Sequence, residues 1–300
     1  MTDDESTSGE ALVSVVIPFL DAGRFLGEAI ESVLAQSYPY WEIVLVDDGS
    51  SDSGSQIARE YASRDPERIR YLDHPRHENR GVNAARNLGI RHARGELVAM
   101  LDADDVWVRC KLEEQIEIFR AAPEAAFLYG TRELWTDWSG EPSAAPDVRI
   151  EHGIAADRVY PPPRLFVALY GERRATAPGG SDCIFRREAA LRVGGYPEEL
   201  RRVFEDQAFL VKLALEEPGF VSSRCWTRYR QHPDSAMAKW TASPGDEWQQ
   251  FVDWIAAYVD TRPSLGSEAR RAARRAVFGL RRPSLGRALR CVRSLLRPMA

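Results

Sequence analysis

Cysteine is scarce in this chain and forms no pattern. Cys110, Cys183, Cys225 and Cys291 stand singly, so neither a disulfide framework nor a paired-cysteine metal or redox motif is on offer. Such usage fits a reducing cytosol. No basic-then-apolar leader opens the sequence, and Thr2 to Glu10 is a polar stretch. No apolar run approaches the roughly 20 residues that span a bilayer, so a cytoplasmic protein, soluble or at most peripheral at a membrane, is expected. The exit of the first apolar run, Leu20-Asp21-Ala22-Gly23-Arg24, lacks the G-x-G-x-x-G turn of dinucleotide-binding enzymes. Acidic residues are missing altogether beyond Glu268, where ten arginines run from Arg270 to Arg297. The whole chain carries −5, which leaves about −15 on the rest: an acidic body with a basic tail. That balance, without any nucleic-acid motif, argues against a nucleic-acid partner.

What the chain does have is enough apolar side chain for a core, 44% with eight Trp, and a regular alternation of elements. Val13 to Phe19, Trp41 to Val46, Ile69 to Leu72 and Glu96 to Leu101 read as buried strands. Helical spacing follows each of them, over Gly23 to Gln36, Ser51 to Ser63, Gly81 to Ala93 and Arg109 to Ala121. Alternation of this kind predicts an α/β fold with a mostly parallel, Rossmann-like central sheet flanked by helices. Thr131 to Pro178, rich in Trp, Pro and Gly, reads as long loops. A strand over Gly179 to Phe185, a helix over Phe204 to Leu215 and a strand over Phe220 to Arg230 come next, and from Thr241 the pattern is helical.

In such sheets ligands bind at the carboxyl ends of the strands, and two strand ends here are acidic. Asp102-Ala103-Asp104 follows the fourth strand, and closely spaced hard oxygens of this kind suit Mg²⁺ or Mn²⁺ and, through it, phosphate. A solvated turn or helix cap is the plainer reading. Asp47-Asp48-Gly49-Ser50 follows the second strand, as an ordinary turn or as a carboxylate for a nucleobase or ribose. Asn79-Arg80-Gly81 leads into Asn83 to Asn87, where Arg86 at a helix start could meet a diphosphate. Glu205-Asp206 opens a later helix, as caps or as a general base. Tyr229-Arg230-Gln231-His232 closes the last strand.

Taken in order, these signals resemble glycosyltransferase family 2. The opening Val13-Ser14-Val15-Val16-Ile17-Pro18-Phe19, the Ile30 to Ser37 helix and Val193-Gly194-Gly195-Tyr196 add to the likeness, which covers roughly Val13 to Pro233. The resemblance implies a GT-A type catalytic domain over 13–240, with a nucleotide-binding half at 13–105 and an acceptor-binding half at 106–240. A polar tail (1–12) precedes it, and a helical appendage with a basic tail (241–300) follows. It implies an inverting transfer from a nucleotide-sugar, UDP- or dTDP-linked, to a sugar or glycoconjugate hydroxyl. Asp48 would contact the base, with Pro18, Asn79, Gly81 and Arg86 around the donor. Asp102 would sit by the ribose, Asp104 would bind Mg²⁺ or Mn²⁺, with Asp102 and His232 as further metal candidates, and Asp206 would be the base, with Glu205 next in line. Gln207 departs from the aromatic or apolar residue common there. The alternatives are a nucleotidyltransferase-like enzyme, which would want a Gly-rich basic loop after the first strand, and a non-catalytic nucleotide-sugar-binding module. The arginines after Glu268 alternate with apolar residues, Leu285, Leu289, Val292 and Leu296 among them. Two readings stand for them: packing on the acidic body, or peripheral contact with an anionic membrane surface.

Overall fold

The computed structural model describes residues 10–281 apart from 139–145, 173, 202 and 244. Its strands are β1 Val13–Phe19, β2 Trp41–Asp47, β3 Ile69–Asp73, β4 Leu97–Met100, β5 Val106–Trp107, β6 Phe127–Trp135, β7 Val148–Arg149, β8 Arg158–Tyr160, β9 Cys183–Arg186 and β10 Gly219–Arg230. They join in one sheet of order β3-β2-β1-β4-β9-β6-β10-β5, with β7 beside β6 and β8 beside β10. The parallel character expected from the sequence holds for β3-β2-β1-β4 and for the β6–β10 pair. Between them β9 runs antiparallel to both β4 and β6.

The helices are α1 Leu26–Leu34, α2 Gly54–Arg64, α3 Val82–His92, α4 Lys111–Ala121, α5 Arg164–Phe166, α6 Arg187–Arg192, α7 Glu205–Glu216, α8 Ala236–Ala242, α9 Glu247–Thr261 and α10 Ser267–Leu280. They cover both faces of the sheet, which is why β1 and β2 are buried at every position. Val13, Val15 and Ile17 of β1 face one core with α1 and α4, while Val16 faces the other with α3 and α7.

One outcome differs from the sequence reading. The stretch from Thr131, which reads as loop, begins inside β6, whose polar residues hide it: Arg132 is buried and pairs with Asp182 at 2.8 Å. The C-terminal helices also share a core with the sheet. Phe251, Val252, Ile255 and Val259 of α9 and Ala269, Ala273, Val277 and Leu280 of α10 lie in the same apolar cluster as Phe209 and Leu213 of α7. Arg274 and Arg281 pair with Asp260 and Asp253 of α9 at 2.9 and 2.8 Å. Packing on the acidic body is thus what α10 does; the stretch from Leu285 lies outside the described residues. No helix among the described residues is long and apolar enough to cross a membrane.

Candidate functional site

The carboxyl ends of β1 and β4, the start of α3, the start of α7 and the exit of β10 surround one cavity of about 740 Å³. Pro18, Asn79, Gly81, Arg86, Asp102, Asp104, Glu205, Asp206 and His232 all line it, so the residues singled out in the sequence converge, with one exception.

The exception is Asp48, which is buried and lies behind the lining. Its two oxygens accept the backbone N–H groups of Arg80 (2.8 Å) and Gly81 (2.9 Å), and His74 lies 3.4 Å away. In this geometry its carboxylate braces the turn before α3, and burial raises its pKa. Gly81 sits at φ +92°, a conformation that glycine adopts without the Cβ strain other residues meet.

Arg86 forms the floor. Its guanidinium is 2.9 Å from Asp102 and 3.2 Å from Glu205, and it lies over the Tyr196 ring. Burial opposes its charge, but Asp102 and Glu205 outweigh that and raise its pKa. Arg86 thus ties the Asp-x-Asp turn to the Glu-Asp helix start on the cavity wall. Gly180 packs directly above: a Cβ there would lie 3.1 Å from Asp102.

Burial, with Asp206 beside it, lifts the Glu205 carboxyl to about 7 against the pull of Arg86. Asp206 is also raised, by burial, and again Arg86 opposes. Its Oδ1 accepts the Gln207 N–H at 2.7 Å, which leaves Oδ2 the freer atom. Gln207 itself is buried, donating to the Pro178 carbonyl (2.7 Å) and accepting from Tyr170 (2.9 Å), so a polar residue here anchors α7 to the neighbouring loop. Phe204, just before the pair, is left-handed at φ +66° and wedged among Trp240, Trp248 and Phe251. Strain of this sort, about 1–3 kcal/mol, persists only where the surroundings impose it.

Across the cavity His232 Nε2 meets Asp104 Oδ2 at 3.0 Å. Among the described residues no three metal-ligating side chains cluster. The donor set nonetheless fits a divalent ion that keeps water and phosphate ligands: a carboxylate oxygen and an imidazole nitrogen already face each other on the cavity wall. Asp102, the other metal candidate, is committed to Arg86.

Sequence reasoning passed over several residues here. Asp105 is fully buried, accepts from Ser181 (2.5 Å) and from the Arg230 N–H (3.1 Å), and is pushed well above the usual carboxylate range by that burial. Ser181, Gly180 and Arg132 reach the site through long-range pairing of β9 and β6, which leaves no local signal.

Residues 14–143 match the family described as Glycosyl transferase family 2. A Bacillus subtilis (strain 168) glycosyltransferase named for teichuronic acid biosynthesis, TuaG, is 42% identical over 113 residues, covering 37% of this chain and 43% of that protein. The Escherichia coli protein named UDP-Glc:alpha-D-GlcNAc-diphosphoundecaprenol beta-1,3-glucosyltransferase, WfgD, is 35% identical over 123 residues, covering 41% and 46%. The aligned stretches span less than half of either relative. S. aureus TarS 1–349 in complex with UDP-GlcNAc superposes with a TM-score of 0.62 at 19% identity, over 86% of this chain and 69% of that one. Mannosyltransferase PcManGT from Pyrobaculum calidifontis, in complex with GDP-Man and Mn²⁺, gives 0.53 at 19% identity, over 96% and 80%. At such identity the likeness is one of fold, and the fold is the GT-A type.

Proposed function

We propose that this chain, with a family 2 segment on a GT-A fold, is a glycosyltransferase that moves a sugar from a nucleotide-sugar to a hydroxyl of a sugar or glycoconjugate acceptor, with inversion. The observation that carries the proposal is the meeting of Asp102 and Asp104 with Glu205 and Asp206 across one cavity, bridged by Arg86.

Asp206 Oδ2 takes the proton of the acceptor hydroxyl as that oxygen attacks the anomeric carbon. A raised carboxyl pKa makes the stronger base near neutral pH. Glu205 is held on Arg86 and is the second choice. One base and no protein nucleophile imply a single displacement, hence inversion; a hydrolase would instead place two carboxylates about the bond. Pro18, Asn79 and Gly81 shape the nucleotide end, and Asp48 does so indirectly by fixing the turn. Asp102, held by Arg86, presents its other oxygen toward the ribose or sugar. Mg²⁺ or Mn²⁺ on Asp104 and His232 would offset charge growing on the departing diphosphate. The UDP-GlcNAc complex of TarS supports a uridine donor, and the GDP-Man complex of PcManGT keeps guanosine in the comparison.

Incubation with a panel of nucleotide-sugars and Mn²⁺ tests this through slow donor hydrolysis, with calorimetry on UDP, dTDP and GDP. Hydrolysis of one donor class is expected, with UDP or dTDP bound more tightly than GDP. If no nucleotide-sugar binds or turns over, the activity is wrong; a preference for GDP overturns only the choice of nucleotide.

A further inference from the structure

Two residues before His232, Arg230 is buried to 2% exposure of its side chain and reaches three parts of the site at once. Its backbone N–H donates to Asp105 at 3.1 Å. Its Nε donates to the Asp104 carbonyl at 2.8 Å. Its Nη2 meets Glu28 of α1 at 2.5 Å. The guanidinium stands 4.9, 4.5 and 4.9 Å from the ring centres of Phe25, Trp135 and Trp138. Trp138 in turn donates its indole N–H to the Gln231 carbonyl at 2.8 Å.

Burying an arginine is costly unless its donors are used, and these are spent on main chain that carries Asp104 and on an anchor in α1. His232 needs such help. Its Nδ1 is buried and finds no partner among the described residues, and its ring is held instead by Phe25 at 4.8 Å. Metal-binding histidines are usually oriented through a hydrogen bond at the far nitrogen. Here orientation rests on the strand end and on the aromatic box around Arg230.

We propose that Arg230 is a positioning residue that presets Asp104 and His232 for a divalent cation. The inference rests on the metal reading above. Lysine cannot replace it, because an ammonium lacks the flat fork that bonds in two directions while lying against rings.

The test is Mn²⁺ titration, followed by the electron paramagnetic resonance of free Mn²⁺, on intact protein saturated with the nucleotide found to bind. Arg230→Lys and Glu28→Gln are compared with wild type; Glu28 is half exposed, so its variant keeps the fold if Arg230→Lys does not. Arg230→Lys is expected to raise the Mn²⁺ Kd tenfold or more and Glu28→Gln about threefold, with metal-free nucleotide affinity changed less than twofold. Unchanged Mn²⁺ affinity in a folded variant overturns the proposal, as does an equal loss of metal-free nucleotide binding. Nucleotide binding by wild type with no bound Mn²⁺ overturns the metal reading and this inference together, but leaves the transferase reading in place.

Discussion

On one side of the cavity the side chains hang from the ends of parallel strands; on the other they start a helix beside Gly180. The strand side is held by hydrogen bonds between turns of the alternating strand–helix half, such as Asp48 to the Arg80 and Gly81 amides. The helix side leans on segments outside that half, Gln207 on the loop at Pro178 and Phe204 on Trp240, Trp248 and Phe251 of the C-terminal helices. Arg86 is the piece common to both. On the proposed function the first wall receives the nucleotide and the second the acceptor.

Removing the common piece should have the largest effect. Arg86→Gln leaves Glu205 buried without its cation, and breaking a buried pair costs about 3–5 kcal/mol. Glu205 already sits near 7, above its unfolded value, so it favours folding at acid pH and disfavours it as pH rises through 7. The variant's carboxyl titrates higher still. Its deficit in thermal unfolding should therefore shrink from pH 8 to pH 5, and a deficit that grew toward acid pH would deny the bridge its role.

Asp206→Asn should separate the walls. Turnover is expected to fall by about 10² or more, as when a general base is lost, while nucleotide affinity stays within a few-fold in calorimetry. Near-normal turnover would move the base to Glu205. In wild type kcat should rise with pH as Asp206 ionises, because the proton acceptor is the carboxylate. Asp104→Ala should act on the first wall alone, weakening nucleotide-sugar binding about tenfold in Mn²⁺ and little in chelator. Full activity of the wild type in excess chelator would remove the metal from the account.

The smallest effect belongs to the tail. Removing residues after Arg281 should abolish weak, salt-sensitive adsorption to anionic vesicles in a flotation assay, at about 1 kcal/mol per basic residue, with donor hydrolysis unchanged. Cutting after Glu268 is a different experiment, since it strips Ala273, Val277 and Leu280 from the core. Intact protein that ignores such vesicles at low salt would assign the tail no membrane role.

The contrast between the walls also explains what could be read from the chain. Strand-then-turn motifs betray themselves, because an apolar run of 4–8 residues ending in Asp or Gly is local information. Asp102, Asp104 and the start of α3 were legible for that reason. β6 was not. Its Gly130 looks like a loop residue, yet a Cβ there would come within 2.5 Å of the Arg224 carbonyl and the Trp226 ring. Its Arg132 looks solvent-facing, yet it pairs with Asp182, 50 positions on. Arg86 stands out in the sequence, but its bond to Glu205, 119 positions on, does not, since nothing near it in sequence announces that partner.

The left-handed Phe204 has a bearing on heredity. Its conformation is enforced by rings from α8 and α9, and the proposed base lies two residues later. The C-terminal helices are therefore no interchangeable accessory. A gene fusion that swapped them for another helical module would release Phe204 and unset the helix that carries Asp206, so α8 and α9 pass with the catalytic domain as one unit.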